Sequence, residues 1–452
     1  MRHLLLLAAL APATVFAQSV EQTNLRYDED WSLLRDVPRE GWRQPKYVPL
    51  DDTGDAYLSL GAEARARFEG FGNNLWGDPP APDDGYLWLR VMPHADLHAG
   101  PARVFVQGIA GYARGVGAGK GPADESGIDL LQGFADVRVA LGGAGKVTLR
   151  GGRELVALGS ERLVGIRYGP NIPQAFDGVR AIADIGPVRL DAFHLRPVAI
   201  GAGDFDDRTS TTRRLDGLYA TVTPAKDIGV DAYWLEYTNE AARFASRTGR
   251  EMRDTFGLRF FGRRGDLSWN WEAMLQRGHF AGDHIRAWSL ATETSWSFPQ
   301  AALKPRLRLR ANIASGDRDA TDDRLGTFNA LFPKGKYFGE LSPIGPRNII
   351  NLHPSVDFDL GDGASLELVA ARFWRESRGD GIYDIPGGLI RSVGGSEARH
   401  IGDQLEISVA WQATTLLSFA ASLSAFRPGP YIRDTGPART IHMVGAEAML
   451  KL

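Results

Sequence analysis

Residues 55–69 read DAYLSLGAEARARFE. The even positions carry Ala56, Leu58, Leu60, Ala62, Ala64, Ala66 and Phe68, and the odd ones Tyr57, Ser59, Glu63, Arg65, Arg67 and Glu69. A period of two sends these sets to opposite faces of a strand. A sandwich would bury the apolar face, whereas a closed membrane barrel would turn it to lipid and line a wet lumen with the charged one.

The same alternation recurs in about eighteen segments as far as Leu452. Arg306, Arg308, Arg310 and Asn312 alternate with Leu307, Leu309, Ala311 and Ile313. The segment near Ile285–Trp296 alternates poorly and leaves its facing open. Connections after even-numbered strands are short and rich in Gly, Pro and Asp, as in Gly186-Pro187 and Arg264–Asp266, which suits tight turns. Those after odd-numbered strands are mostly long, as in Leu155–Ala175 and Ser315–Arg347. Sorting by parity fits short periplasmic turns and long extracellular loops, and a sandwich has no reason to produce it. The fold expected is therefore all-β: a transmembrane antiparallel up-and-down β-barrel of about 18 strands over residues 55–452.

The first residues support an outer-membrane destination. Met1-Arg2-His3, the apolar run Leu4–Leu10 and Val15-Phe16-Ala17 form a secretory signal over residues 1–17. The run is too short for a spanning helix, and no later stretch reaches that length. Residues 18–54 lack period two; their charges, prolines and tryptophans suggest a periplasmic arm or a plug at the barrel mouth, with a plain disordered leader as the alternative. The hydrophobic content of 43% suits a barrel, since half of each strand is polar. A net charge of −3 argues against nucleic acid as a partner. The absence of cysteine excludes disulfides and thiolate metal sites. No cofactor or metal is expected.

By parity, Arg65, Arg67, Arg90, Arg138, Arg150, Arg180, Arg259, Arg306, Arg308 and Arg310 take the polar face. An arginine facing lipid at mid-bilayer would cost about 2–4 kcal/mol, so these side chains belong inside. Guanidinium groups match carboxylates, and rings of Arg or Lys select anions in pores. The bland alternative pairs them with inward Glu63, Glu69, Asp96, Asp136, Asp184 and Glu272, merely filling the lumen.

Other signals carry less. Gly115–Gly121 lacks the first Gly and the Ser or Thr of a phosphate loop. His94, Asp96 and His98 share a face and could bind metal, but two histidines in a wet lumen explain them. Asp317, Asp319, Asp322 and Asp323 lack a calcium-loop pattern. His353, Ser355 and Asp357 share a strand face that splays side chains poorly for a hydrolase triad. No enzyme is expected.

Two long connections carry the most specific sequence: GGRELVALGSERLVGIRYGPNIPQAFDGVR (Gly151–Arg180) and SGDRDATDDRLGTFNALFPKGKYFGELSPIGPRN (Ser315–Asn348). With YDEDWSLLRD (Tyr27–Asp36) they resemble the outer-membrane alginate export protein family over nearly all the mature chain. The resemblance implies a monomeric eighteen-strand barrel with an arginine-rich constriction that passes a polyuronate. It carries over Arg153, Glu154, Arg162, Arg167, Asn171, Asp177 and Arg180 from the first motif. From the second it carries Asp317, Phe328, Asn329, Phe332, Lys334, Tyr337, Phe338 and Asn348. Strict alternation would turn Arg153 outward unless a bulge or the strand end intervenes. The periplasmic turns read as short, unlike the long gating turn of the exporters, so a passive anion-selective porin for acidic sugars fits the same lumen. The expectation is a channel for an anionic polysaccharide or oligosaccharide in the outer membrane of a Gram-negative bacterium. Lipid and lipopolysaccharide would surround it, with room for a periplasmic partner.

Overall fold

The computed structural model describes residue 20 and residues 22–143, 145–245 and 247–452; the leader expected over residues 1–17 lies outside them. Eighteen long strands form one closed wall. The first nine are β1 (Ala56–Gly72), β2 (Asp84–Ala99), β3 (Ala102–Arg114), β4 (Gly127–Ala140), β5 (Gly145–Leu155), β6 (Ala175–Ile185), β7 (Val188–Ala199), β8 (Arg213–Ala225) and β9 (Ile228–Phe244). The second nine are β10 (Arg247–Arg264), β11 (Leu267–Phe280), β12 (Asp283–Ser297), β13 (Arg306–Ala314), β14 (Ile349–Gly361), β15 (Ala364–Trp374), β16 (His400–Gln412), β17 (Leu417–Pro428) and β18 (Ile441–Lys451). Each pairs antiparallel with the next, and β18 returns to β1 with Glu447 opposite Arg67. Closure leaves no edge strand exposed.

Parity determines facing. Leu60, Phe68, Val104, Leu149, Leu258, Leu309, Leu405 and Leu423 remain exposed on the outside, while Glu63, Arg65, Arg67 and Glu69 are buried within. So large an exposed apolar surface marks contact with lipid. Among the described residues no helix is long and apolar enough to cross a membrane. In β12, Ile285, Ala287, Ser289 and Ala291 are buried on the lumen side, and Trp288, Leu290 and Trp296 face out. Small inward residues explain why this segment alternates poorly. A register shift between Gln107 and Gly108, opposite β4, turns Leu131 inward beside Met92 and Ile109, against simple alternation.

The periplasmic rim has short turns, the longest being residues 298–305. The other rim carries the long connections, except for two tight hairpins after β9 and β11.

The hydrophobic core lies inside the barrel. The 156–174 and 315–348 connections fold into the lumen and pair with each other: the Gly165 amide donates to the Phe332 carbonyl at 2.9 Å, and the Phe332 amide to Leu163 at 2.8 Å. Val156, Leu163, Val164, Phe328, Phe332, Phe338 and Ile344 then pack against wall residues Phe176, Leu215, Leu235 and Phe373. From below, residues 22–50 enter as three short 3-10 turns (Arg26–Asp28, Trp31–Leu34, Gly41–Lys46). Tyr27 donates to the Leu155 carbonyl at 2.7 Å and packs edge-on against Phe105 and Phe134. Arg26 donates to the carbonyl of Leu452 at 2.7 Å. Trp31, Leu34 and Tyr47 cluster with Tyr57 of β1.

Candidate permeation path and its charged lining

The fillers do not cover the wall evenly. On the β1–β7 side the inward arginines are immobilised. Arg65 donates to the carbonyls of Tyr168 (2.9 Å) and Pro170 (2.6 Å). Arg90, only 1% exposed, pairs with Glu63 at 2.8 Å and donates to the Asn171 carbonyl at 3.0 Å. Arg150 pairs with Asp136 (2.8 Å) and Glu154 (2.9 Å), its guanidinium 3.9 Å from the Phe134 ring centre. Arg180 shares Glu154 at 3.2 Å and holds Asp191 at 2.6 Å. Farther round, Arg259 pairs with Asp231 at 2.6 Å, and Arg162, from the first inward connection, with Glu272 at 2.8 Å.

From β12 round to β1 the fillers leave part of the lining open, although His353 and Glu406 there are buried. Arg310 pairs with Glu293 at 2.8 Å, and Arg308 bridges Asp357 (2.6 Å) and Glu367 (3.1 Å). Arg306, nearer the periplasmic rim, shares Asp357 at 2.9 Å. Arg67 holds Glu447 (2.9 Å) and Glu340 (2.6 Å). A cavity of about 370 Å3 lies between Arg67, Arg310, Lys334, Lys336, His353 and Glu367. Lys334 comes from the second inward connection; burial and the charges of Arg310 and Arg162 lower its pKa.

Thus nine of the ten parity-assigned arginines have a carboxylate within 4.0 Å. Among the described residues Arg138, exposed near the periplasmic rim, has none. Arg153 and Asp177 do not join the lumen set. The β5–β6 register is unbroken, so they take the face opposite Arg150, Glu154 and Arg180 and pair with each other at 2.8 Å. Asp177 also accepts from Thr209 at 2.6 Å, tying down the connection after β7. No bulge intervenes; alternation prevails over the motif there.

Several motif residues prove to be pins. Asn171 is buried and donates to the carbonyls of Tyr112 (3.1 Å) and Asp124 (2.8 Å); Asn348 donates to Gly381 at 2.8 Å and accepts from the Ser377 amide at 2.6 Å. Asp317, Asp319 and Asp322 serve separate turns, accepting from Gly326, Thr321 and Arg324. Asp357 is held by Arg306 and Arg308, so it does not orient His353. Asp96 is taken by Arg103 and His98, while His94 lies beside Lys46 over Gly61. Arg213, Arg243 and Arg347, at the outer mouth with Arg167, escaped sequence reasoning. They lie at strand ends or in aperiodic loop, where parity assigns no face.

A closed eighteen-strand barrel with an apolar exterior, a charged bore and inward-folded loops is an outer-membrane channel of porin architecture. Residues 56–446 match the family model for alginate export, and the chain belongs to that family. The fold is similar to three Pseudomonas aeruginosa porins. OpdQ shares 12% identity at a TM-score of 0.59, over 87% of this chain and 97% of its own. OccD3 (OpdP) shares 12% at 0.59, over 92% and 94%. OccK2 (OpdF), solved in complex with glucuronate, shares 13% at 0.55, over 87% and 98%. No curated protein matches the chain.

Proposed function

We propose that the chain passes carboxylate-bearing saccharides across the outer membrane, with uronate units as the cargo. The observation carrying this reading is the uneven cover of the bore: Arg67, Arg310 and Lys334 border a cavity and the Arg308 side chain keeps 11% exposure, while Arg65 and Arg90 are capped by loop carbonyls. Paired arginines suit transport. Each guanidinium can trade one carboxylate for another, so binding stays weak and repeated, as conduction requires. Family membership favours outward passage of a polyuronate. Inward passage of short acidic sugars is the second reading; the division of the interior into separate cavities of about 370, 280 and 240 Å3 favours it, as does the glucuronate held by OccK2. Neither reading includes a catalytic step.

Single-channel recording in planar bilayers tests the cargo. Anion preference and reversible block by oligouronates are expected. Arg308→Ala with Arg310→Ala leaves Glu293 and Glu367 without the arginines that pair with them, so the reversal potential should move toward cation preference. A wild-type channel that prefers cations and ignores oligouronates would overturn the reading. Flux from liposomes against oligomer length separates the directions: polymer passage supports export, and a cut-off at a few sugar units supports uptake.

A further inference from the structure

Among the described residues, four arginines that have no carboxylate within 4.0 Å gather at the outer mouth. Arg167, Arg213, Arg243 and Arg347 line a cavity of about 280 Å3 at the extracellular ends of β8–β10. Glu251 is the one carboxylate in that lining, and it is already engaged by Arg253 at 2.6 Å and Asn329 at 3.0 Å. Nearby Asp384 accepts from the amides of Gly387 and Gly388 at 2.7 and 2.6 Å, bracing its own turn. Arg347 is 6% exposed, yet its guanidinium donates only to the neutral Asn329 side chain at 2.6 Å, and its Nε has no partner. The Arg167 Nε is likewise buried without a partner. Arg167 also adopts a left-handed backbone, φ +53°, unusual for a residue with a Cβ.

Converging guanidiniums without directly paired carboxylates are costly in a buried setting, and backbone strain concentrates at functional sites. Burial, with Arg213 and Arg347 close by, pushes Arg167 down to about 10. Tyr237, Phe244, Leu331 and Phe332 form apolar parts of the same lining. The ligand that fits has one carboxylate for the guanidinium forks and a ring with an apolar face.

We infer that Arg167, Arg213 and Arg347 form a carboxylate-binding subsite at the extracellular mouth that holds one uronate unit against an aromatic floor. The inference rests on the cargo reading above and assigns the tightest contact to the vestibule. The β13 arginines then keep overall anion preference, while the vestibule sets affinity for the sugar acid.

The test uses the full chain in planar bilayers with glucuronate added to either side. Block should be stronger from the loop side, and glucose and acetate should be poor substitutes. Arg213→Gln with Arg347→Gln should raise the half-blocking glucuronate concentration about tenfold or more, as expected for loss of charge-assisted contacts. Arg213→Gln alone, at a half-buried position, should give a smaller shift in the same direction if the double variant fails to assemble. Unchanged half-block in either variant overturns the subsite, as does equal block by acetate. Oligouronate block that depends on Arg308 and Arg310 alone would leave the cargo reading standing while this one falls.

Discussion

Arg90 and Arg308 have the same chemistry and the same inward parity, but they are buried to different extents. Arg90 is 1% exposed beneath the 156–174 connection, whereas the Arg308 and Arg310 side chains, across the bore, keep 11% and 25%. The difference lies in what covers them. The N-terminal arm and the first inward connection lean on β1–β7, so that wall becomes a core of ion pairs. The β13 arginines are less completely covered. Breaking a buried pair strands a charge at high cost, and breaking an exposed one costs little. The two walls should therefore respond very differently to equivalent mutations.

The largest contrast is expected between Glu154→Gln and Glu367→Gln. Glu154 is buried and holds both Arg150 and Arg180; its neutralisation should cost about 3 kcal/mol or more. Glu367 is one of two acceptors for the partly exposed Arg308, and its loss should cost less than about 1 kcal/mol. Urea unfolding in lipid or detergent measures both. Equal effects would mean that the two walls are alike.

The arm offers a second way to sharpen the comparison, through pH. Lys46 is fully buried, its Nζ 4.8 Å from the centre of the Trp31 ring. Arg26 and Glu29 of the arm and His94 of the wall are the charged and titratable groups around it. Burial, then the like charge of Arg26, pushes its pKa down to about 8 from 10.5. Below pH 8 both docked and free arms carry the charge, and the docked one bears the penalty. Between 8 and 10.5 the docked lysine has released its proton while the free one has not, so docking strengthens as pH rises through that window. The full gain is about 3 kcal/mol. Protease cleavage within the arm should slow from pH 7 to 10, and Lys46→Met should be slow throughout. A pH-independent rate in the wild type would place the lysine in water.

These tests also separate what the sequence disclosed from what it concealed. About eighteen strands were legible, because lipid outside and mostly polar side chains on the inner face impose period two on most segments between Ala56 and Lys451; in β12 small inward residues obscured it. Simple alternation would turn Leu131 outward, and the bulge there turns it inward. The carboxylate partners were less legible: Asp357 meets Arg306 and Arg308 through the β13–β14 register, which pattern alone does not fix. The inward folding of residues 156–174 and 315–348 is a tertiary event, so the burial of Arg65 and Arg90 beneath carbonyls was invisible. Arg347 lies within the second motif, beside Asn348. Its significance depends on there being no carboxylate within 4.0 Å of it among the described residues, Glu251 being held by Arg253, which only the fold reveals.

The smallest expected effect lies within β13 itself. Arg306, Arg308 and Arg310 sit at alternate positions along one face, and the first two converge on the same Asp357 oxygen at 2.9 and 2.6 Å. The Arg306 side chain is 45% exposed, so solvent already screens it and Arg308 can hold Asp357 alone. Arg306→Gln should therefore change unfolding free energy by less than about 0.5 kcal/mol. It should shift the reversal potential less than Arg308→Gln does, because a charge at the wide rim acts on passing ions through water and salt. The ratio of the two shifts should grow as salt is raised from about 0.1 to 1 M, since screening removes the rim contribution first. A ratio near one at every salt concentration would mean that both arginines face equally open water, and that the path does not narrow between Arg306 and Arg308.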